Sequence, residues 1–383
     1  MRIAFLYDCV YPYTIGGVER RVHELGRRLA ARGHEVHHFG MKFWEGPATI
    51  ESGGVRIHGV TPASTLYEGG RRAILPAARY AAALLRPLLA GGFDLIDAQQ
   101  FPYLHCLPAS LAGAVRDVPL VITWHEVWGA YWREYLGGVK GRLGEATEWA
   151  VARLPATAAA VSRTTRDQLA GLGTGRPIEI LPNGIDTRAI ASAPPAEGHR
   201  DLLYAGRLIP EKRVDLLIGA VPFLLGDFPS LQVLVIGDGP ERQALQDLAS
   251  RLGVTDHVTF TGFLPESAAV TGYMKSASVF VSPSVREGFG MGALEAMACG
   301  TPVVTVDHPR NAVVERITPA TGRVAAPAPE ALAAKIGECL ADPSGFREAC
   351  TSLAAGYDWD LIVPRAEAFY DGLIAGRRRS SPK

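Results

Sequence analysis

Residues 278–306 read SVFVSPSVREGFGMGALEAMACGTPVVTV, and their order of residue types is that of a strand, a tight loop, a short helix and a second strand. The opening run SVFVSP and the closing TPVVTV are apolar at nearly every position, which suits strands covered on both faces, as parallel strands are. Between them the loop SVREGFGMG leads into a small-residue helix that starts near Gly290 and runs to about Ala298. Glu287 and Glu295 stand eight positions apart. Eight residues rotate an ideal helix by about 80° past full turns, so the two carboxylates would not share a helical face. Glu287 is therefore expected in the loop, ahead of the helix, and Glu295 on its second turn.

Outward from this unit the same rhythm repeats. RIAFLYD reads as a strand, VERRVHELGRRLAARG as an amphipathic helix ended by Gly33, and HEVHHFG, FDLIDAQ and PLVITWH as strands. The stretch IDTRAIASAPPAEGHRD, rich in Pro, Ala and Ser, interrupts the pattern, and it restarts with DLLYAG, LQVLVIG and HVTFTG. The expected architecture is α/β, with two Rossmann-like doubly wound domains facing across a cleft. The expected boundaries are 1–184 for the first domain, 185–200 for a linker and 201–356 for the second. A C-terminal helix over 357–376 crosses back to the first domain, and 377–383 form a basic tail.

A chain of 383 residues exceeds what one hydrophobic core usually serves. Apolar residues make up 48% and charged residues 20%, an ordinary globular composition. With 39 basic against 39 acidic groups there is no global field for nucleic acid, and an anionic ligand needs a local constellation. The five cysteines are scattered and form no C-x-x-C, which argues against a disulfide framework or a zinc site and fits a reducing cytoplasm. The first apolar run is too short for a secretory leader, and the longest uncharged stretch, 98–115, is broken by Gln99, Gln100, Pro102, His105 and Pro108.

The residues that carry chemistry fall at the carboxyl ends of expected strands, where open α/β sheets bind ligands. The amides of Phe289, Gly290 and Met291 lie between the two glutamates at a helix N-terminus, a place suited to an anion. Arg207 and Lys212, in LLYAGRLIPEKRVDLL, follow a strand on one loop and can grip a diphosphate. Acceptor groups around an anion-binding turn match the layout of a nucleotide sugar. A bland reading has Glu295 counter a buried Arg, and makes Glu287 a solvated loop acid and Arg207 and Lys212 two exposed surface cations.

GRLIPEKRVD, IGDGPE, SVREGFGMGALEAMACGTPVV, LPNGID and TIGGVE together resemble the retaining nucleotide-sugar glycosyltransferases of the GT-B group, family four type, over nearly the whole chain. The resemblance implies a retaining hexosyltransferase of glycan biosynthesis that uses a UDP- or GDP-sugar. Arg207 and Lys212 would hold the diphosphate, Glu295 the ribose, and Glu287 with the Gly288–Met291 turn, including Phe289 and Gly290, the hexose. Gly16 and Gly17 would approach the donor phosphate, and Gly262, Phe263 and Leu264 the base. His125 would act catalytically beside the transferred sugar, with Arg207, Lys212 and Glu287. The family more often has Asp after that histidine, where this chain has Glu126, and Gly after the lysine, where it has Arg213. No metal is required if the Arg207 and Lys212 cations and helix amides stabilise the departing diphosphate, so no cofactor or essential metal is expected.

Tyr11, Trp128 and Tyr131 are candidates for a sugar, polyol or lipid-linked acceptor, since rings stack on apolar sugar faces; a packed satellite core is the competing reading. A helix over 71–89 would place Arg72, Arg79 and Arg86 on one face, able to rest on an anionic membrane or simply to be solvated. The expected location is therefore cytoplasmic, with peripheral contact at the inner membrane face. Two rival functions stay open. An NAD-dependent oxidoreductase is suggested by Gly237 and Gly239 in VIGDGPERQAL, although Arg242 replaces the third glycine. A non-catalytic two-lobed sugar-binding protein would need no Arg207 and Lys212 pair.

Overall fold

The computed structural model describes residues 1–68 and 71–380. The chain divides into two compact units: Met1–Asn183 together with the chain from Trp359 onward, and Gly184–Asp358.

In chain order the strands of the first unit are β1 (Arg2–Leu6), β2 (Glu35–Lys42), β3 (Thr49–Ser52), β4 (Val55–Pro62), β5 (Tyr67–Glu68), β6 (Arg71–Arg72), β7 (Leu95–Gln99), β8 (Leu120–Trp124), β9 (Thr157–Ala160) and β10 (Ile178–Ile180). Eight of them form one sheet in the order β10-β9-β8-β7-β1-β2-β4-β3, parallel except for the antiparallel edge strand β3. β5 and β6 pair separately. Ile3, Phe5 and Leu6 are fully buried, as expected of a strand with helices on both faces. Helix Trp359–Ser380 completes this unit, laying Trp359, Ile362, Val363, Ala366 and Tyr370 into its core.

The second unit has β11 (Arg200–Ala205), β12 (Val233–Ile236), β13 (Val258–Gly262), β14 (Ala277–Ser282), β15 (Val303–Val306) and β16 (Gly322–Ala325). They form a wholly parallel sheet ordered β13-β12-β11-β14-β15-β16. The chain runs outward from β11 through β12 to β13, then returns to β14 on the other side of β11. The order therefore reverses between β11 and β14, the place where doubly wound sheets bind ligands.

Three expectations need correction. The stretch 185–200 is part of the second unit, which begins at Gly184, and it contains helix Thr187–Ser192. Asp186 caps that helix by accepting from the Ala189 amide at 2.8 Å, and Ala196 donates its amide to Gly272 at 3.0 Å. The helix expected over 71–89 spans Ile74–Ala90, and Arg72 lies in β6 with its guanidinium paired to buried Asp8. The basic stripe of three arginines is thus reduced to Arg79 and Arg86. The C-terminal helix extends through Arg377 to Ser380, so most of the expected tail is helical, and 381–383 lie outside the described residues. Among the described residues, no helix is long and apolar enough to cross a membrane.

Candidate donor site

The loops after β11 and β14, on either side of the reversal point, are tied together directly. Val285 donates its amide to the Glu211 carbonyl at 3.0 Å. Arg286 meets the Glu211 carboxylate at 3.5 Å. The Lys212 ammonium donates to the Glu287 carboxylate, and Ser284 donates to the same oxygen at 3.3 Å. Lys212 and Glu287 keep 16% and 19% of their side-chain surface exposed, so the pair is shielded yet reachable.

Glu287 lies ahead of the helix. Its amide donates to Arg310 at 2.9 Å and its carbonyl accepts from Ala312 at 2.8 Å, an isolated parallel bridge with Asn311. This extended pairing fixes the backbone on which the carboxylate stands. Helix Met291–Ala298 follows, with Gly290 as N-cap and no side chain capping it. Its first amides therefore have no partner within the helix, and its dipole favours an anion there. Gly290 has φ +79°, and a Cβ on it would fall 2.3 Å from Val313 Cγ2, so both conformation and space call for glycine. Glu295 is half-buried on the second turn of the helix.

Arg316, 3% exposed, was not singled out by the sequence. Its guanidinium donates to the Phe289 carbonyl and lies over the Phe289 ring at 4.4 Å and the Tyr357 ring at 5.7 Å. A trans peptide points its C=O and N–H in opposite directions. Holding the Phe289 carbonyl toward buried Arg316 therefore turns the Gly290 amide away from that side. Burial works against the Arg316 charge, and Tyr357, Glu315 and Glu287 favour it. Nothing in the local sequence signals this residue, which follows Phe289 by 27 positions and belongs to no motif.

Arg207 is exposed on the loop after β11, where its carbonyl accepts from buried Tyr204 at 2.9 Å. Burial raises the Tyr204 hydroxyl, Glu287 adds to the rise and Arg207 opposes it, so all three share one electrostatic neighbourhood. The backbone of this loop also explains the G-x-G turn. A Cβ on Gly237 would lie 1.9 Å from the Gly206 carbonyl oxygen, and one on Gly239 2.3 Å from that of Leu208. Both glycines are filled against the Arg207 loop, where a dinucleotide motif would need room for a pyrophosphate. The next strand ends in Gly262 rather than an acid. Gly262 closes edge strand β13 and accepts from the Gly237 amide at 2.9 Å; Phe263 beside it is 56% exposed and Leu264 is half-buried.

In the first unit, His125 follows β8. Gln99 donates its amide nitrogen to buried Asp97 at 3.0 Å, so its oxygen faces His125 Nε2 at 2.8 Å and accepts from it. This assigns the proton to Nε2 and leaves Nδ1 as the acceptor nitrogen. Burial lowers the imidazole well below its ordinary range, with Arg21 adding to the effect, so it is neutral at pH 7. Gly16 caps helix Gly17–Ala31, and a Cβ on it would lie 2.5 Å from the Glu19 carboxylate. Tyr11 packs on His23 with centroids 4.7 Å apart. Trp128 is 7% exposed within a cluster that includes Trp132 at 4.5 Å and Tyr135 at 4.9 Å, and its surroundings are those of a core residue. Tyr131 is half-buried at the edge of that cluster. Among the described residues, no group of three or more His, Cys, Asp or Glu is arranged to hold a metal ion.

Two family descriptions match consecutive parts of the chain: Glycosyltransferase Family 4 over residues 15–189 and Glycosyl transferases group 1 over 186–355. The chain is a GT-B glycosyltransferase. This glycosyltransferase is 29% identical to a glycogen synthase of Mycobacterium tuberculosis, over all of this chain and 97% of that one. It is also 29% identical to a GDP-mannose-dependent alpha-(1-6)-phosphatidylinositol dimannoside mannosyltransferase of the same species, covering 91% and 90%. In fold it resembles sucrose-phosphate synthase from Thermosynechococcus elongatus, with TM-score 0.83, 22% identity, and 98% and 99% of the two chains covered. The enzyme transfers sugar from a nucleotide-sugar donor.

Proposed function

We propose that the enzyme transfers a hexose from a UDP- or GDP-sugar to an acceptor hydroxyl with retention at the anomeric carbon and without a metal. The observation that carries this reading is the Lys212–Glu287 pair, which joins the two loops at the point where the second sheet reverses its strand order. Lys212 and Arg207 would neutralise the diphosphate, the amides at the start of helix Met291–Ala298 would add partial positive charge, and Glu287 would accept hydroxyls of the hexose. Glu295 would bond the ribose, and the Gly262–Leu264 edge would border the base.

In the reaction the acceptor oxygen bonds to C1 while the C1–O bond to the diphosphate breaks on the same face. The acceptor proton passes to the departing phosphate oxygen, and the nucleoside diphosphate leaves. Charge grows on that phosphate, so preorganised cations and amides supply the main stabilisation. Neutral His125, with Nδ1 as acceptor, would orient an acceptor-side hydroxyl. The relatives act on a polysaccharide or an inositol lipid, so both belong in an acceptor panel beside soluble polyols.

The test titrates the enzyme with UDP, GDP and NADH by calorimetry, then screens UDP- and GDP-sugars for transfer with and without a chelator. Binding of one nucleoside diphosphate, chelator-resistant turnover and an axial or equatorial linkage matching the donor by proton NMR support the reading. Binding of NADH alone, rescue by magnesium after chelation, or an inverted linkage overturns it.

A further inference from the structure

Two neighbouring helices of the first unit present a continuous apolar outer surface. Helix Ile74–Ala90 turns Ala77, Tyr80, Ala81, Leu84 and Leu88 toward the core. Its outward row is Leu75, Arg79, Ala82 and Arg86. Helix Cys106–Arg116 packs beside it, and its outward row is Leu107, Leu111, Ala114 and Val115, with no polar side chain until Arg116. Leu75, Leu107, Leu111 and Val115 are 59%, 47%, 51% and 63% exposed. An apolar groove of ≈ 310 Å³ runs between the helices, lined by Ala78, Ala82, Leu85, Leu104 and Leu107 among others. A solvent-facing helix row is ordinarily polar, so this face calls for an occupant.

The charges around the face identify that occupant. Neither helix contains an acid. Arg79 and Arg86 belong to one row, and Arg116 ends the other. The C-terminal helix brings Arg377 to the same end, where it takes up Asp117 at 2.7 Å, and Arg379 is exposed beyond it. The outward rows contain no aromatic residue, whereas protein interfaces centre on aromatic anchors. Aliphatic side chains between long, mobile arginines suit a lipid boundary, where the stems lie along acyl chains and the guanidinium groups reach phosphates.

We propose that this face docks the enzyme reversibly on an anionic lipid surface. The proposal is independent of the donor chemistry, because its readout needs no turnover. The experiment floats the full chain with vesicles of phosphatidylcholine, alone or with a minority of phosphatidylglycerol. The wild type should co-float with the anionic vesicles only and be released by salt. Each arginine near an anionic leaflet adds about 1 kcal/mol, so Arg79→Gln/Arg86→Gln should partition roughly thirty-fold more weakly. Leu107→Asn/Leu111→Asn should also detach, while both variants keep wild-type melting and nucleotide binding, since the altered side chains are solvent-facing. Failure of the wild type to float, equal flotation with neutral vesicles, or wild-type flotation by both variants overturns the proposal. So does a wild-type dimer in light scattering that Leu107→Asn/Leu111→Asn converts to monomer, which would assign the face to a second copy of the chain.

Discussion

Replacing Glu287 by glutamine keeps the outline of the side chain and a carbonyl acceptor but removes the charge that holds Lys212. A diphosphate arriving at Lys212 meets that carboxylate across a single ammonium. Two like charges about 6 Å apart at an effective dielectric near 20 repel by roughly 3 kcal/mol before ionic screening. The pair is partly open to solvent, so screening leaves about 1 kcal/mol, or roughly five-fold in affinity. Glu287→Gln should therefore bind the free nucleoside diphosphate roughly five-fold more tightly and still turn over more slowly, because the hexose loses its charged acceptor. Lys212→Met should move the first quantity the other way, by roughly ten- to a hundred-fold, the worth of a charge-assisted hydrogen bond. Calorimetry with UDP or GDP, whichever binds the wild type, reads the first effect at low salt, and nucleotide release reads the second. If Glu287→Gln weakens the diphosphate as much as Lys212→Met does, the carboxylate serves only to prop the lysine, and the assignment of Glu287 to the hexose fails.

Arg316→Met should strand the buried Phe289 carbonyl and lose the stacking on Phe289 and Tyr357, costing about 2 to 3 kcal/mol. Because Arg316 sits behind the peptide whose amide is proposed to meet the donor, nucleotide affinity should fall along with melting temperature; a drop in melting alone would leave Arg316 a purely structural residue. Gly290→Ala should cost about 1 to 2 kcal/mol for the left-handed backbone, plus displacement of Val313, and should weaken donor binding more than it alters circular dichroism. Burial holds His38 down to about 4 and His105 down to about 3. Between those values and the ordinary value near 6.5 the unfolded chain binds protons that the native chain does not, so stability falls as pH falls, by about 1.4 kcal/mol per pH unit for each histidine. Asp97 and Glu148, raised by burial, act in the opposite sense, so the readout is a comparison: stability against pH should fall less steeply in His38→Gln than in the wild type, and parallel slopes would remove the histidine account.

The strands found by reading the chain are those that burial makes apolar throughout, such as LVITW at Leu120–Trp124 and VLVI at Val233–Ile236. Those missed carry no such signal: Thr157–Ala160 reads TAAA, which alanine makes equally plausible as helix, and Gly322–Ala325 opens on a glycine. The expected linker misled for a related reason. Its Pro, Ala and Ser composition resembles a spacer, but local caps and bonds from Lys275 to the Ala191 and Ala193 carbonyls hold it to the second unit. The spacing of Arg72 from Arg79 suggests a helix, whereas the partner of Arg72 is Asp8, 64 positions away, which no local period can reveal. The dense aromatics around Trp128 leave sugar stacking and a packed satellite core equally open in the sequence, and in the fold the rings pack on one another.

What the sequence left hidden is how the donor loops are made rigid, because every brace is non-local. The Arg207–Lys212 loop is held from one side by the backbone of the Gly237–Gly239 turn, with Gly206 donating to Ile236 at 3.0 Å and Leu208 to Asp238 at 2.9 Å. From the other side it is held by Val285, Arg286 and Glu287. The Glu287–Gly290 turn is in turn pinned by Asn311 and Arg316 from the segment after β15. Four connecting segments of one sheet thus constrain each other, so that the cation and the carboxylate on adjoining loops meet without either loop carrying the full motif. The glycines that imitated a dinucleotide fingerprint belong to this same brace: they are small so that another loop's carbonyls can approach. A spacing of residues can announce which side chains act, but their mutual placement rests on backbone contacts that only the folded sheet brings together.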